Sequence, residues 1–600
     1  MRSRILAAVL GLPLVAAFAL TQVPAASATT PDTSVLVNVR SPATPFSQNK
    51  QNEPAVAIDP MHPNVVVAGA NDNIDEEACN AGDDTTCPFT LGVSGSGVYF
   101  SFDSGASWTQ PTYTGYSARG CLGVVGNADP PCAPNPSGPI GTVPKYFENG
   151  LVADGDPALA FGPRPASNGT FSWSNGSRLY YANLTSANPT VASTLLKGAE
   201  GIAVSRTDNV ATAAAGDVAG KAAWMDPVIV SKQSSATFAD KEQIWADNAS
   251  SSPFFGNVYV CFEKFNGAGA APMAVSTSTD GGTTWATRQI SPAHNVSPSH
   301  FGQSGCTVRT DSHGVAYVFY EQFQNASVFS PPMGTHFMVT SVDGGLSWSR
   351  PVAIGRVTDP CVAIQFDGTS GRCVSDGIAG ARNDLSASPS VSIANGAPTG
   401  AGATDELALT YTGFDANENI HVYVRTSTDG GAHWTDPAAV ETAGDRGYYS
   451  APALSPDGKD LYLVYNAFTT PFRNNTTDPR GLVGVVMHAD VAANGTVGAM
   501  TELNRGAVGD PRASSQNNQF MEFLGDYVYA AATNDYAVAV WNDTRNGADC
   551  PAVDTWRAQA QTTRSIAGRP APQQDCAPVG GKFFGNSDIF GWSGLDPSTP

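Results

Sequence analysis

The sequence predicts an all-β protein, a single β-propeller of four-stranded antiparallel blades, on three observations. An octet of the form Ser-x-Asp-x-Gly-x-x-Trp occurs four times, as SFDSGASW from Ser101, STDGGTTW from Ser278, SVDGGLSW from Ser341 and STDGGAHW from Ser427. A second pattern, a short strand often opened by Pro, then a turn, then a Tyr- or Val-rich strand, occurs seven times. The composition, with 61 Gly, 43 Pro and 14% charged residues, leaves few runs long enough for amphipathic helices. A chain of 600 residues could hold several average domains, but repeats add units to one continuous body.

Each residue type in the octet solves a turn problem. The Ser and Asp oxygens cap backbone N–H groups inside the turn. Gly105, Gly282, Gly345 and Gly431 permit a positive φ, and Trp108, Trp285, Trp348 and Trp434 carry a large apolar surface away from the tip. Asp103, Asp280, Asp343 and Asp429 are therefore expected to be structural rather than catalytic.

The seven units begin at NEPAVAI (Asn52), GDPALAF (Gly155), DKEQIWAD (Asp240), SGCTVRTD (Ser304), SPSVSIAN (Ser388), SAPALSPD (Ser450) and GDYVYAAA (Gly525). Their second strands read NVVVAG, RLYYANL, NVYVCFE, VAYVFYE, ELALTYT, DLYLVYN and YAVAVWN. A third strand then runs into the octet, as in IHVYVRTSTDGG, so the unit is a propeller blade. The second, sixth and seventh units lack a clean octet, and GIAVSRTDN around Ser205 reads as a decayed one. Seven blades is the favoured count, with six as the alternative. The last unit runs short after DTWRAQA, and SVLVNVR (34–40) is expected to complete its blade, closing the ring and removing exposed edges.

Residues 1–28 carry Arg2 and Arg4, an apolar run from Ile5 to Leu20 and Ala26-Ser27-Ala28, the signature of a cleaved secretory signal. Residues 29–51 form a segment with the closing strand, and 52–600 the propeller. Ten cysteines suit an oxidising destination and fall into the couples Cys79/Cys87, Cys121/Cys132, Cys361/Cys373 and Cys550/Cys576. Cys261 and Cys306 lie in strands of consecutive repeats, where a bridge between neighbouring blades is plausible, although sequence alone does not fix the pairing. The absence of C-x-x-C argues against zinc. A net charge of −21 repels nucleic acid and anionic membranes, and no run after the leader is long enough to span a bilayer. The expectation is a secreted, extracellular monomer.

In a propeller the starts of the innermost strands converge on one face of the channel. They carry Glu53, Asp156, Asp240, Lys241, Glu242 and Asp526, with Glu522 just upstream and Asp543 and Arg545 after the last second strand. Glu53, Asp156, Glu242 and Asp526 are the catalytic candidates, because glycosidic cleavage needs one carboxyl to protonate the leaving oxygen and another to assist attack. Clustered carboxylates suit Ca²⁺ equally, and also ion pairs that hold blades together. No cofactor is required and no metal ligand set is assigned. Cysteine- and Pro/Gly-rich stretches at 73–88 and 115–144 read as long loops that shape a binding mouth or serve as stapled decoration.

The octet matches the Asp box, or bacterial neuraminidase repeat, and from Asn52 onward the chain resembles secreted sialidase-like propellers, which share NEPxxAxxP, DKE, GDY and DTR-like segments. Sialidase catalytic domains have six blades, three arginines holding the substrate carboxylate, a Tyr activated by Glu, and an Asp acid/base. The first arginine belongs to an R-I-P motif, and the matching triplet here is Asn52-Glu53-Pro54. SAPALSPDGKDLYLVYN resembles a later motif but has Ser450 or Ala451 in place of its Glu and Asn466 near its Arg. Tyr448 and Tyr449 resemble the surroundings of the sialidase nucleophile. Losing bidentate arginine clamps removes recognition of a carboxylate-bearing sugar, which argues against sialic acid cleavage. The resemblance implies a glycan-directed exo-glycosidase with its pocket at the channel face, the alternative being a non-catalytic carbohydrate- or protein-binding propeller. Asn52, Lys241, Arg545, Tyr448 and Tyr449 are its substrate-binding candidates.

Other chemistries find no support. GVSGSG from Gly92 is not a nucleophile elbow, and no P-loop, Rossmann fingerprint or H-E-x-x-H is present. His294, His300 and His313 read as solvated loop residues.

Overall fold

The computed structural model describes residues 30–39, 50–77, 89–121, 132–191, 195–231, 234–266, 271–293, 301–324, 333–366, 371–378, 380–514, 524–570 and 575–597. The leader, Cys79, Cys87, His294, His300 and Glu522 lie outside them.

Alternation of apolar residues along seven successive strand sets produces seven antiparallel sheets around one channel. The inner strands are Gln51–Ile58, Leu151–Pro163, Thr237–Ala246, Phe301–Thr310, Ser390–Ile393, Arg446–Leu454 and Tyr529–Ala532. Each packs against the inner strands of its neighbours, the seventh against the first, so the ring is closed. Six blades have four strands; in blade one the fourth is reduced to Thr109, bridged to Phe100. The outermost strand of blade seven is Val35–Leu36, paired with Gly591 and Phe590, so the N-terminal segment closes the ring as expected. Val37 is buried just beyond it.

The four octets take the anticipated geometry. The hydroxyls of Ser101, Ser278, Ser341 and Ser427 each accept the N–H of the octet glycine at 2.9 Å. The Asp carboxylate accepts the backbone N–H four residues on, also at 2.9 Å. Their tryptophans pack half-buried against the clusters between blades. Because strands alternate in direction, octets and inner-strand starts lie on opposite faces. At the octet position of blade two, Asp208 pairs with Arg178 at 2.6 Å and Arg164 at 3.3 Å.

Blade seven departs from the expectation in detail. DTWRAQA belongs to a helix, Pro551–Thr563, and the third strand of that blade is Asp588–Leu595. Pro551 suits the first helical position, and Val553, Trp556, Arg557 and Ala560 recur at helical spacing on a buried face. Arg512 fixes the helix through Asp554 at 2.7 Å.

Disulfides join Cys121 to Cys132, Cys361 to Cys373, Cys550 to Cys576, and Cys261 to Cys306. The last links the second strand of blade three to the inner strand of blade four.

Candidate active site

Four consecutive inner strands lose register at one equivalent place: between Asn52 and Ala55, Gly155 and Ala158, Asp240 and Gln243, and Ser304 and Thr307. The first bulged residue is left-handed in all four, with φ of 55° at Glu53, 52° at Asp156, 57° at Lys241 and 67° at Gly305. Such a conformation costs a non-glycine residue about 1 kcal/mol and re-aims its side chain. Here it turns three charged side chains toward one another. The second bulged residues are Pro54, Pro157, Glu242 and Cys306.

Lys241 is the hub. Its ammonium lies 2.7 Å from Asp526 Oδ2, 3.1 Å from Asp156 Oδ2, and 3.9 Å from both Glu53 Oε1 and Asp240 Oδ1. Arg382, from the connection between blades four and five, adds a contact to Asp526 Oδ2 at 3.3 Å. Asn71 Nδ2 donates to Asn52 Oδ1 and Glu53 Oε2, both at 2.7 Å, and Asn71 Oδ1 accepts the Asp156 N–H at 2.7 Å. A Cβ at Gly155 would collide with that oxygen, so the glycine there is required.

Environment pushes the carboxyls apart. Burial, then the Asp156 and Asp526 carboxylates, drive Glu53 well above the usual range, so it carries a proton. Against the opposing effect of burial, Lys241 and Arg382 hold Asp526 ionised, below the usual range. Against the same effect, Asp156 and Asp526 hold the Lys241 ammonium charged.

Above this cluster opens a mouth of about 580 Å³, lined by Asn52, Asp154, Asp156, Glu200, Asp240, Lys241 and Arg382, with Phe89, Leu91 and Val93 on one side. Glu200, half-buried ahead of the third strand of blade two, is pushed up to about 8 by burial and then by Asp154, Asp240 and Asp156. It is therefore a proton donor open to the mouth at neutral pH. A larger cleft of about 830 Å³ lies outside the channel, where His421 Nδ1 sits 2.6 Å from Glu441 and Asp445 is held by Arg505 at 2.5 Å. There Arg446 donates to the Ser375 and Thr470 carbonyls, and none of the carboxylates expected from the inner-strand starts lines this cleft.

No family model matches the chain. No curated protein matches it either. Among solved structures it is similar to a Hadza microbial sialidase, at 11% identity and a TM-score of 0.37, covering 69% of this chain and 63% of that one. It is also similar to Trypanosoma rangeli sialidase in complex with the inhibitor DANA, at 12% identity and a TM-score of 0.37, covering 77% and 59%. A third is the α-L-arabinofuranosidase of Fusarium graminearum in complex with arabinobiose, at 11% identity and a TM-score of 0.39, covering 72% and 93%. The chain thus spans less than two thirds of the length of either sialidase.

Glu53, Asp156, Lys241 and Asp526 meet as one group, with Asn52 beside them. Glu242 does not join it: as the second bulged residue it turns into a smaller cavity deeper in the channel. Arg545 lies outside the mouth, taken up by Asp543 and Asp32 at 2.7 Å each and resting 3.9 Å from the centre of the Phe590 ring. Tyr448 is fully buried, donates to the Arg382 carbonyl and packs on Tyr449 and Phe468, so it supports the wall. The Tyr449 hydroxyl donates to Asp526 Oδ1 at 3.3 Å. Glu200, Arg382 and Asn71 carry no repeat signal of their own, because they sit on a third-strand start, an inter-blade connection and a second strand, away from the inner-strand starts and the end of the last second strand that the repeat marks. On the octet face, His313 is exposed beside Asp405 at 3.0 Å.

One other group has metal-ligand chemistry among the described residues. Asp460, His488 and Asp596 bring ligand atoms within 4.8 Å of one another at blades six and seven. His488 Nε2 is 3.1 Å from Asp460 Oδ1, an ordinary histidine–carboxylate pair.

Proposed function

We propose that the channel mouth binds an extracellular glycan and cleaves a glycosidic bond, as an exo-acting glycoside hydrolase. The observation that carries this reading is Glu200: a half-buried carboxyl pushed up to about 8, facing the same mouth as Asp156 and Asp240. In this scheme Glu200 protonates the leaving oxygen, and Asp156, held by Lys241, assists the attacking water or the developing positive charge. Glu53 and Asp526 position Lys241 from below. Only one arginine among the described residues, Arg382, lines the mouth, and it is already paired with Asp526. That favours a hydroxyl-rich neutral sugar over one bearing a carboxylate.

A panel of chromogenic glycosides that includes a sialoside tests the proposal. Turnover of a neutral glycoside is expected, falling as pH rises through about 8, where Glu200 loses its proton. Glu200→Gln should reduce kcat by about 10²–10⁴-fold. Sialoside turnover would overturn the substrate class. Binding of glycans with no turnover of any would favour the carbohydrate-binding alternative, a reading supported by the complete burial of the Glu53 and Asp526 side chains.

A further inference from the structure

At the end of the channel away from the mouth, where the inner strands finish, lies a second cavity of about 270 Å³. Its walls are largely apolar, with Val56, Leu159 and Leu454 among them. Three larger side chains, each half-buried, also line it: Trp245, Arg309 and Tyr529. The Arg309 guanidinium carbon stands 4.8 Å from the centre of the Trp245 ring, and its Nη1 donates to the Val308 carbonyl at 2.7 Å.

Arg309 has no carboxylate paired with it among the described residues. Burial pulls the guanidinium below its ordinary value, and Tyr529 alone opposes this. The Tyr529 phenol is itself pushed up to about 12 by burial, so at neutral pH it keeps its proton and supplies no negative charge. Asp535 brings the one carboxylate of the lining, and it is exposed at the rim. A buried acid or lysine in such a place can shed its charge by gaining or losing a proton, but an arginine cannot. Water can accept the guanidinium N–H bonds and still leave the charge uncompensated.

The register of the blades shows how the cavity is shaped. Counted from the shared bulge, blades one to four place Ala57, Ala160, Trp245 and Arg309 at the same position, and all four line the cavity. Two blades thus supply small side chains that leave the volume open, the third a flat aromatic and the fourth a fixed cation.

We infer that this cavity binds a small aromatic carboxylate, its anionic end held by Arg309 and its ring lodged among the apolar walls beside Trp245. The guanidinium fork matches a carboxylate with two parallel hydrogen bonds. A cavity of about 150 Å³ already admits benzene, so this one takes a single ring and a short acidic chain. The apolar walls disfavour a strongly hydrated inorganic anion, which would lose its water there without gaining contacts. This site stands independently of glycan cleavage.

The test titrates the full chain with 3-phenylpropanoate, with 3-phenylpropanol and acetate as separate arms, followed by calorimetry and saturation-transfer NMR. Saturable binding of 3-phenylpropanoate near one per chain is expected, at least tenfold tighter than either the alcohol or acetate. Arg309→Met should weaken the carboxylate at least tenfold while still binding the alcohol, which shows that the cavity has kept its shape. Arg309→Lys, which keeps the charge but not the fork, should recover part of the carboxylate affinity. Absence of saturable 3-phenylpropanoate binding, or undiminished binding by Arg309→Met, would overturn the inference. So would loss of both aromatic ligands by Arg309→Met with no recovery in Arg309→Lys. Acetate binding as tightly as 3-phenylpropanoate would overturn the aromatic part of the ligand, and equal binding of the alcohol would overturn the anionic part.

Discussion

Lys241 Nζ and Asp526 Oδ2 lie 2.7 Å apart although 285 residues separate them, and their ion pair ties blade three to blade seven across the channel. Both side chains are largely or wholly withdrawn from solvent, at 15% and 0% exposure. Replacing Lys241 with Met leaves Asp156 without its cation and Asp526 with Arg382 alone, and should destabilise the fold by roughly 3–5 kcal/mol. Adding Asp526→Asn should recover part of that loss. Urea unfolding of the two single variants and the double variant measures the coupling; strictly additive losses would show the pair to be energetically idle.

Stability should decline as pH rises from about 4.5 toward 8. Glu76 is buried beside the mouth, and burial raises its carboxyl from 4.5 to about 8 despite the Thr90 N–H it accepts. A raised carboxyl contributes its full stabilisation below the unfolded value and loses it as pH climbs to the folded one. Over that window one proton changes stability by about 1.4 kcal/mol per pH unit. Asp526 acts in the opposite sense: its depressed value gives stability above the unfolded 3.8 that is lost on further acidification. Melting curves should therefore peak near pH 4–5 and fall to pH 8, and Glu76→Gln should flatten the fall.

The Cys261–Cys306 bridge closes a loop of 45 residues between adjacent blades. Chain-entropy arguments put its contribution at about 4 kcal/mol. A Cys261→Ala, Cys306→Ala variant should unfold at correspondingly lower denaturant, with the activity of the remaining folded fraction unchanged.

Without Val35–Leu36 and buried Val37, the Asp588–Leu595 strand becomes an open edge. A chain beginning at Lys50 should self-associate, seen as a shift in mass by light scattering, and should melt well below the intact protein. A monodisperse truncated protein of unchanged Tm would show the closing strand to be dispensable.

The octets act on stability alone. Asp280 accepts the Thr284 N–H at 2.9 Å on the face away from the mouth. Asp280→Ala should cost about 0.5–2 kcal/mol, as loss of a comparable cap does, and leave kcat/KM intact.

What could be read in the residue order follows the range of the forces involved. Turn chemistry and strand alternation are local, so the octets, the seven units and the closing strand were legible. The meeting of Glu53, Asp156 and Lys241 was legible because each opens its repeat at the same bulge, a place that NEP, GDP and DKE mark. The blade-seven helix was missed because a 13-residue helix interrupts the repeat between its second and third strands. Glu200 and Arg382 were missed because their approach to the mouth is set by how blades two, four and five pack, and no local pattern records that. Arg545 was legible as a cation after a strand, two residues from Asp543, but only tertiary packing brings Asp32 to it as well and takes it out of the mouth.

The shared bulge has a geometric consequence. Four blades offer the same left-handed position, yet the series Glu53, Asp156, Lys241, Gly305 ends in a residue with no side chain. The charged side chains that the bulge re-aims therefore all belong to blades one to three, and a glycan bound as proposed would lie to that side of the axis. The rest of such a glycan would then run out over the rim of those blades, without threading the axis.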